Sequence, residues 1–236
     1  MINGLKELSS FVWAALSSGL ILVARLLRLI DKESCNQYFG NMLAWGNRKV
    51  YGVNVEVEDP KGHLQQKGPR ILVGNHQSNW DAAIFGSVFP KATYVLGKRV
   101  LGWVPIFGWF YLMAGNFGVD RKSSKHASET LSNIVERIKN KGDSVWIFPE
   151  GTRNRKNPKV LLPFKMGAFR IAAMAGVPIL PMVAEPYSFQ YKRIRVKILD
   201  PIYPSSNFKD YRALGAEVKD QMQKTVDEFI QTSTYS

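Results

Sequence analysis

From Val50 onward, short runs of apolar and mostly β-branched residues alternate with stretches in which apolar residues recur every three or four positions. This alternation narrows the possible folds more than any other feature of the chain. The runs at 53–57, 71–73, 93–96, 144–148, 179–183 and 194–199 are bounded by glycine, proline or charge, as strands are. Between them Leu131, Ile134, Val135 and Ile138 repeat at helical spacing, and so do Leu214, Val218, Gln221 and Thr225 with Val226 and Phe229 beside them. Strands separated by helices are the grammar of an α/β protein. With 236 residues, no internal repeat and no low-complexity linker, the chain fits one such domain with an appendage.

The appendage is at the N-terminus, and the expected division is 1–49 and 50–236. Residues 8–24 carry no charge and then meet Arg25 and Arg28. That run falls short of the ~20 residues that cross a bilayer, and Ser9, Ser10, Ser17, Ser18 and Gly19 dilute it. It therefore reads as a helix lying at an interface, with a spanning helix as the alternative. Lys6 is paired with Glu7 and no small-residue cleavage site follows, which argues against a removable signal peptide. A second helix over 36–49 carries Tyr38, Met42 and Trp45 at spacings of four and three, which predicts a helical hairpin with a lipid-facing side. Two amphipathic helices packed on the core fit the same pattern.

Lys and Arg total 32 against 19 Asp and Glu, a net charge of +13. Such an excess favours an anionic partner: a bilayer surface, a phosphorylated substrate or a nucleic acid. The single Cys35 rules out an internal disulfide framework and reads as a small apolar helix residue.

Four clusters carry chemistry. The strand at 71–73 runs into Asn75-His76-Gln77-Ser78-Asn79-Trp80-Asp81, which sets a histidine and a carboxylate five positions apart at a strand-to-helix turn. A neutral imidazole held by a carboxylate through one nitrogen offers the other as a base, and such a pair can activate a hydroxyl. A helix cap fits as well, with Ser78 and Asp81 starting the helix and His76 in the loop. The second cluster, Phe148-Pro149-Glu150-Gly151-Thr152-Arg153, follows another buried strand; its glycine lets backbone approach a ligand and its arginine can grip phosphate, although a solvated basic loop has the same composition. Gly115 to Arg121 is the third, a glycine turn ending in an Asp-Arg pair. The fourth, Val177-Pro178-Ile179-Leu180-Pro181, reads as a strand edge or a channel wall. Between the first and third lies the aromatic segment 101–113, with Trp103 and Phe107, which suits a core helix or the wall of an acyl-chain channel.

In this order and spacing the four clusters resemble the glycerolipid acyltransferase family, and within it the compact bacterial 1-acylglycerol-3-phosphate acyltransferases, over about Val50 to Pro201. The resemblance rests on H-x4-D at His76 and Asp81, the motif ending in Asp120-Arg121, F-P-E-G-T-R at Phe148 to Arg153, and V-P-x-x-P at Val177 to Pro181. It implies a mixed central sheet flanked by helices, with a two-helix motif seated in one leaflet. It further implies His76 as base, Asp81 as its orienter, and a phosphate site drawn from Lys98, Arg121, Glu150, Gly151, Thr152 and Arg153. Trp103, Phe107, Val177 and Pro178 are the expected channel residues. Phe117-Gly118-Val119 stands where relatives often carry bulkier aliphatics. The implied partners are lysophosphatidic acid, an acyl-CoA or acyl-carrier protein as co-substrate, and an anionic membrane surface, at the cytoplasmic face of a bacterial inner membrane. No cofactor and no metal are expected.

Other function classes fit less well. A non-catalytic lipid-binding protein would use the charge and the N-terminus but leave His76 and Asp81 without a purpose. The basic residues are scattered, without zinc spacing, helix-turn-helix or an RNA-reading motif, which argues against nucleic acid. His63, His76 and His126 make no ligand-spaced group for a metallohydrolase. The closest alternative is a related transferase acting on glycerol 3-phosphate or another lysophospholipid.

Overall fold

The computed structural model describes residues 2–120, 123–188, 192–205 and 210–232. Seven strands form one sheet: β1 (Asn54–Glu58), β2 (Ile71–Gly74), β3 (Thr93–Lys98), β4 (Phe117–Val119), β5 (Ser144–Ile147), β6 (Ile179–Ala184) and β7 (Arg193–Ile198). Their spatial order is β1-β7-β6-β2-β5-β3-β4. Every neighbouring pair is parallel except β6 with β7, so the sheet is mixed. Six strands fall where the apolar runs predict them, within two residues at each end. β4 is the exception, because Gly115 to Arg121 reads from sequence as a turn; instead Phe117–Val119 extends the sheet beside Leu96, Gly97 and Lys98.

Side chains alternate between two buried faces, and this explains why the central strands read as unbroken apolar runs. Ile71, Val73, Val145, Ile147, Ile179 and Val183 point to one face, where α5 (Ser124–Lys141), α6 (Gly167–Ala175) and α7 (Tyr211–Thr232) bring Ile134, Ile138, Phe169, Ile171, Val218 and Val226 against them. Leu72, Trp146, Leu180, Met182 and Ala184 point to the other, under Ile84, Phe85 and Val88 from α3 (Asp81–Ile84) and the turn that follows it. The adjacent strands β2 and β5 thus hand the chain to opposite faces, β2 into α3 and β5 onward to α6. A crevice opens between two parallel strands at such a switch, just beyond their C-terminal ends. His76 and Glu150 follow β2 and β5 there.

The N-terminal hairpin consists of α1 (Ile2–Leu26) and α2 (Cys35–Gly46). By length and composition Leu8–Leu26 is long and apolar enough to cross a bilayer, more than the charge-free run alone suggests, because the helix continues past Arg25. Leu8, Phe11, Val12, Leu16, Leu20 and Val23 are exposed along one side. The opposite side is packed: the Trp13 indole donates to the Met42 carbonyl at 2.8 Å, and Ile21 meets Cys35, Phe110 and Ala114 around α4 (Phe107–Met113).

α2 in turn lies directly on the turn after α3, where Gly40 and Gly86 meet backbone to backbone. A methyl group on Gly40 would stand 2.7 Å from the Gly86 carbonyl oxygen, and one on Gly86 would press on Gly40 in the same way. Gly86→Ala is therefore expected to force the two segments apart and to cost about 1–3 kcal/mol, the usual range for overpacking. Thermal denaturation in detergent reads this as a lowered midpoint, and an unchanged midpoint would contradict the contact.

Candidate functional site

Strand β2 is buried along its length, and the residues after it are fixed by side-chain amides on the end of β6. Asn75 Nδ2 donates to the Ala184 carbonyl and Asn75 Oδ1 accepts from the Ala184 N–H, both at 2.9 Å. Gln77 Nε2 donates to the carbonyls of Ala184 and Glu185 at 3.2 and 3.0 Å. His76, held between them, stacks on Phe148 with ring centroids 4.1 Å apart and planes 12° from parallel.

Asp81 opens α3 but turns its carboxylate back toward the loop, with none of it exposed. Oδ2 accepts from His76 Nδ1 at 2.6 Å, from Gln77 N–H at 2.7 Å and from Ser78 N–H at 2.9 Å. Oδ1 accepts from the Tyr187 hydroxyl at 2.5 Å. Asp81 is thus at once the first residue of α3 and the hydrogen-bond partner of His76. The Ser78 Oγ accepts from Trp80 N–H at 3.3 Å, and its hydroxyl also bonds to the Tyr187 phenol. A buried carboxylate is costly without partners, and four charge-assisted donors offset that cost. Since an ionised carboxylate only accepts, the proton on the ring belongs to Nδ1, and Nε2 carries the lone pair. Among the described residues no group engages Nε2, and the side chain keeps 18% of its surface open.

Glu150 joins the second loop to the first. Its Oε1 accepts from His76 N–H at 2.7 Å and its Oε2 from Leu162 N–H at 3.0 Å, while Asn154 N–H donates to the His76 carbonyl at 2.7 Å. Burial pushes the Glu150 carboxyl above its ordinary value, against the opposing pull of those two N–H groups. Gly151, with φ of 70°, makes the sharp turn out of the strand end, a conformation that suits glycine.

The expected site residues are not all brought together. Gly151 is buried, while Thr152 and Arg153 are exposed on the loop that Glu150 anchors; Lys98 ends β3 at the same C-terminal edge of the sheet. Arg121 lies outside the described residues. Val177 is buried in the core just before β6, with Pro178 beside it. Since Ile179 pairs with Ile71, these two stand at the opposite end of the sheet from His76. Phe107 packs on Phe39, Phe110 and Tyr111. Trp103 is 81% exposed. Two residues in contact with the pair were not anticipated from sequence. Phe148 lies in a recognised cluster, but nothing in the spacing marks it as a stacking partner. Tyr187 is 106 residues from Asp81, and no periodicity connects them.

The structure thus defines a mixed α/β protein with a carboxylate-oriented histidine at its switch crevice, an arrangement in which Nε2 is available as a proton acceptor. The comparisons define it further. The acyltransferase family model matches residues 54–185. The chain is 37% identical over 199 residues to the 1-acyl-sn-glycerol-3-phosphate acyltransferase of Haemophilus influenzae, covering 80% of this chain and 82% of that protein. The enzyme of the same name from Saccharomyces cerevisiae is 33% identical, with 88% and 72% covered, and that from Escherichia coli 35% identical, with 76% and 75% covered. The fold matches the crystal structure of the 1-acyl-sn-glycerophosphate acyltransferase from Thermotoga maritima with a TM-score of 0.66 at 21% identity, over 98% of this chain and 99% of that one. The chain belongs to the acyltransferase family.

The raised Glu150 carboxyl has a measurable consequence. The folded state binds its proton more readily than the unfolded state does, so the contribution to stability is present below the ordinary glutamate range and is lost as pH rises through the raised value. Denaturation of wild type and Glu150→Gln in parallel, from about pH 4 to about pH 8, isolates this group. Wild type should lose stability relative to the variant as pH rises. A difference that grows in the other direction contradicts the burial argument.

Proposed function

We propose that this protein transfers a fatty acyl group from an acyl thioester, acyl-CoA or acyl-carrier protein, to the sn-2 hydroxyl of 1-acylglycerol 3-phosphate, giving phosphatidic acid without an acyl-enzyme. The observation that carries the reading is the His76–Asp81 pair, with Nδ1 engaged at 2.6 Å and Nε2 left for substrate. The names of the relatives supply the acceptor.

In the proposed reaction Nε2 takes the hydroxyl proton as the oxygen attacks the thioester carbonyl. Asp81 stabilises the imidazolium that results. Collapse of the tetrahedral intermediate breaks the carbon–sulfur bond, and the imidazolium returns its proton to the departing thiolate. Direct transfer is supported by the placement of two candidate nucleophiles: Cys35 is buried against α1 and α4, and the Ser78 hydroxyl is engaged by Trp80 N–H. Both substrates must then be bound together. Lys98, Arg121 and the Gly151–Arg153 loop are proposed to receive the acceptor phosphate, with Glu150 holding that loop against His76. The exposed apolar side of α1 and the net charge of +13 support attachment to an anionic membrane surface, in a bacterium at the cytoplasmic face of the inner membrane. No cofactor is required by this scheme.

His76→Ala should lower turnover by at least the ~10²–10⁴ expected for loss of a general base. Mass spectrometry of enzyme mixed with acyl donor alone tests direct transfer: the mass should stay that of the free protein, whereas a stoichiometric acyl adduct, discharged on adding acceptor, would falsify it. Arg153→Ala should raise the acceptor KM more than it lowers kcat, because a phosphate would lose a charge-assisted partner. Unchanged saturation behaviour removes this loop from the phosphate site.

A further inference from the structure

Resting on the proposed reaction, we infer that Tyr187 is a positioning residue for it: its hydroxyl fixes the Asp81 carboxylate and limits how strongly that carboxylate holds the His76 ring. The phenol is the donor to Oδ1, at 2.5 Å, whereas Oδ2 is shared by His76 Nδ1 and two backbone N–H groups. Asp81 has no exposed surface, so without the tyrosine Oδ1 would face its buried surroundings with no donor.

Tyr187 is held at that point by its neighbours in the chain. It follows β6 by three residues, and the end of β6 is fastened to the His76 loop by the Asn75 and Gln77 amides. Its ring packs on the apolar cluster that includes Leu72, Ile84 and Ala184. The Ser78 hydroxyl also bonds to the phenol. Burial beside the Asp81 carboxylate pushes the phenol well above its usual range, so it remains a donor at every pH at which the enzyme would be assayed.

Two effects follow from the donation. The carboxylate cannot rotate, so Oδ2 stays aimed at Nδ1. A carboxylate that already accepts a strong phenol bond is also a weaker base. Asp81 therefore supports the imidazolium without holding it so firmly that the proton cannot move on to the thiolate. Among the described residues the titratable groups that face His76 and Asp81 are Tyr187 and Glu150, the latter through His76 N–H, and no lysine or arginine bonds to Asp81.

The pH profile of kcat/KM tests this. In Tyr187→Phe the carboxylate gains basicity and the imidazolium persists to higher pH, so the acid limb should move upward by about half a pH unit. Turnover should fall roughly ten-fold, with the acceptor KM within about two-fold of wild type. Replacement of Tyr187 by 3,5-difluorotyrosine keeps the shape and strengthens the donor, so the limb should move downward in a protein whose packing is unchanged. If both variants lose turnover while the acid limb stays fixed, Tyr187 only packs, and the inference is overturned; wild-type kinetics in Tyr187→Phe overturn it as well. His76→Ala, measured alongside, separates the two levels of the argument. Wild-type turnover there sinks the proposed reaction itself, whereas with His76→Ala inactive the tyrosine result speaks for Tyr187 alone.

Discussion

The Asp81 carboxylate has no contact with water, and an ion in that position is tolerable only while its hydrogen-bonding capacity is filled. Two stretches of chain meet that demand of the carboxylate on α3: the His76 loop gives a ring nitrogen and two backbone N–H groups, and the segment after β6 gives the Tyr187 hydroxyl. Each must arrive within a few tenths of an ångström, so the strands that carry them cannot shift independently. The amide clasp from Asn75 to Ala184 does for β2 and β6 what the ladder does along their length. Glu150 repeats the arrangement on the β5 side, with a carboxylate bonded to backbone N–H of both loops. The His76 loop is thus held by one buried carboxylate on each side, and rigidity of this kind is what preorganised proton transfer requires.

The hairpin of α1 and α2 is joined to this arrangement through close contacts. Tyr51, just past α2, meets Trp80 edge to face at 4.5 Å, one residue before Asp81, and the Ser9 hydroxyl of α1 bonds to the Tyr51 hydroxyl. Asn36 and Asn116 exchange side-chain amide bonds at 2.8 and 3.0 Å, and Asn116 also accepts from Val95 N–H, so α2 is tied to β3 and to the chain entering β4. A largely buried pair of amides with reciprocal bonds tolerates little sliding, because a small displacement leaves polar groups unpaired. The apolar hairpin and the His76 loop therefore keep one relative placement.

Much of this was legible in the sequence because it rests on periodicity and on residue type at fixed spacing. The strand runs at 71–73 and 179–183 are buried on both faces and read as continuous apolar segments, and His76 and Asp81 stand close enough in the chain for a single turn to join them. β4 was not legible: three residues with a glycine in the middle make no pattern, and only pairing with β3 makes them a strand. Val177 and Pro178 show another limit, since motif membership says nothing about which end of a strand a residue occupies. Tyr187 and the Asn36–Asn116 pair are contacts between segments far apart in sequence, set by tertiary packing alone.

The position of the pair also bears on how an α/β sheet could serve a lipid hydroxyl in the proposed reaction. Parallel strands leave their C-terminal ends in a crevice, and here β2 and β5 place His76 and Glu150 there while α3 carries the chain back under α2. The apolar side of α1 is exposed near the same loop, since Ser9 reaches Trp80 through Tyr51. In the proposed reaction the acceptor would meet an apolar flank with its acyl chain and a basic rim with its phosphate. Only the hydroxyl between them would have to reach Nε2. An arrangement of this kind makes orientation a matter of amphipathic fit: a substrate turned the other way would put phosphate against Leu16 and Leu20 and an acyl chain against Arg153. Desolvation of the misplaced charge alone disfavours that pose. In the proposed reaction the apolar and anionic halves of the acceptor would thus be sorted between the hairpin and the loop after β5.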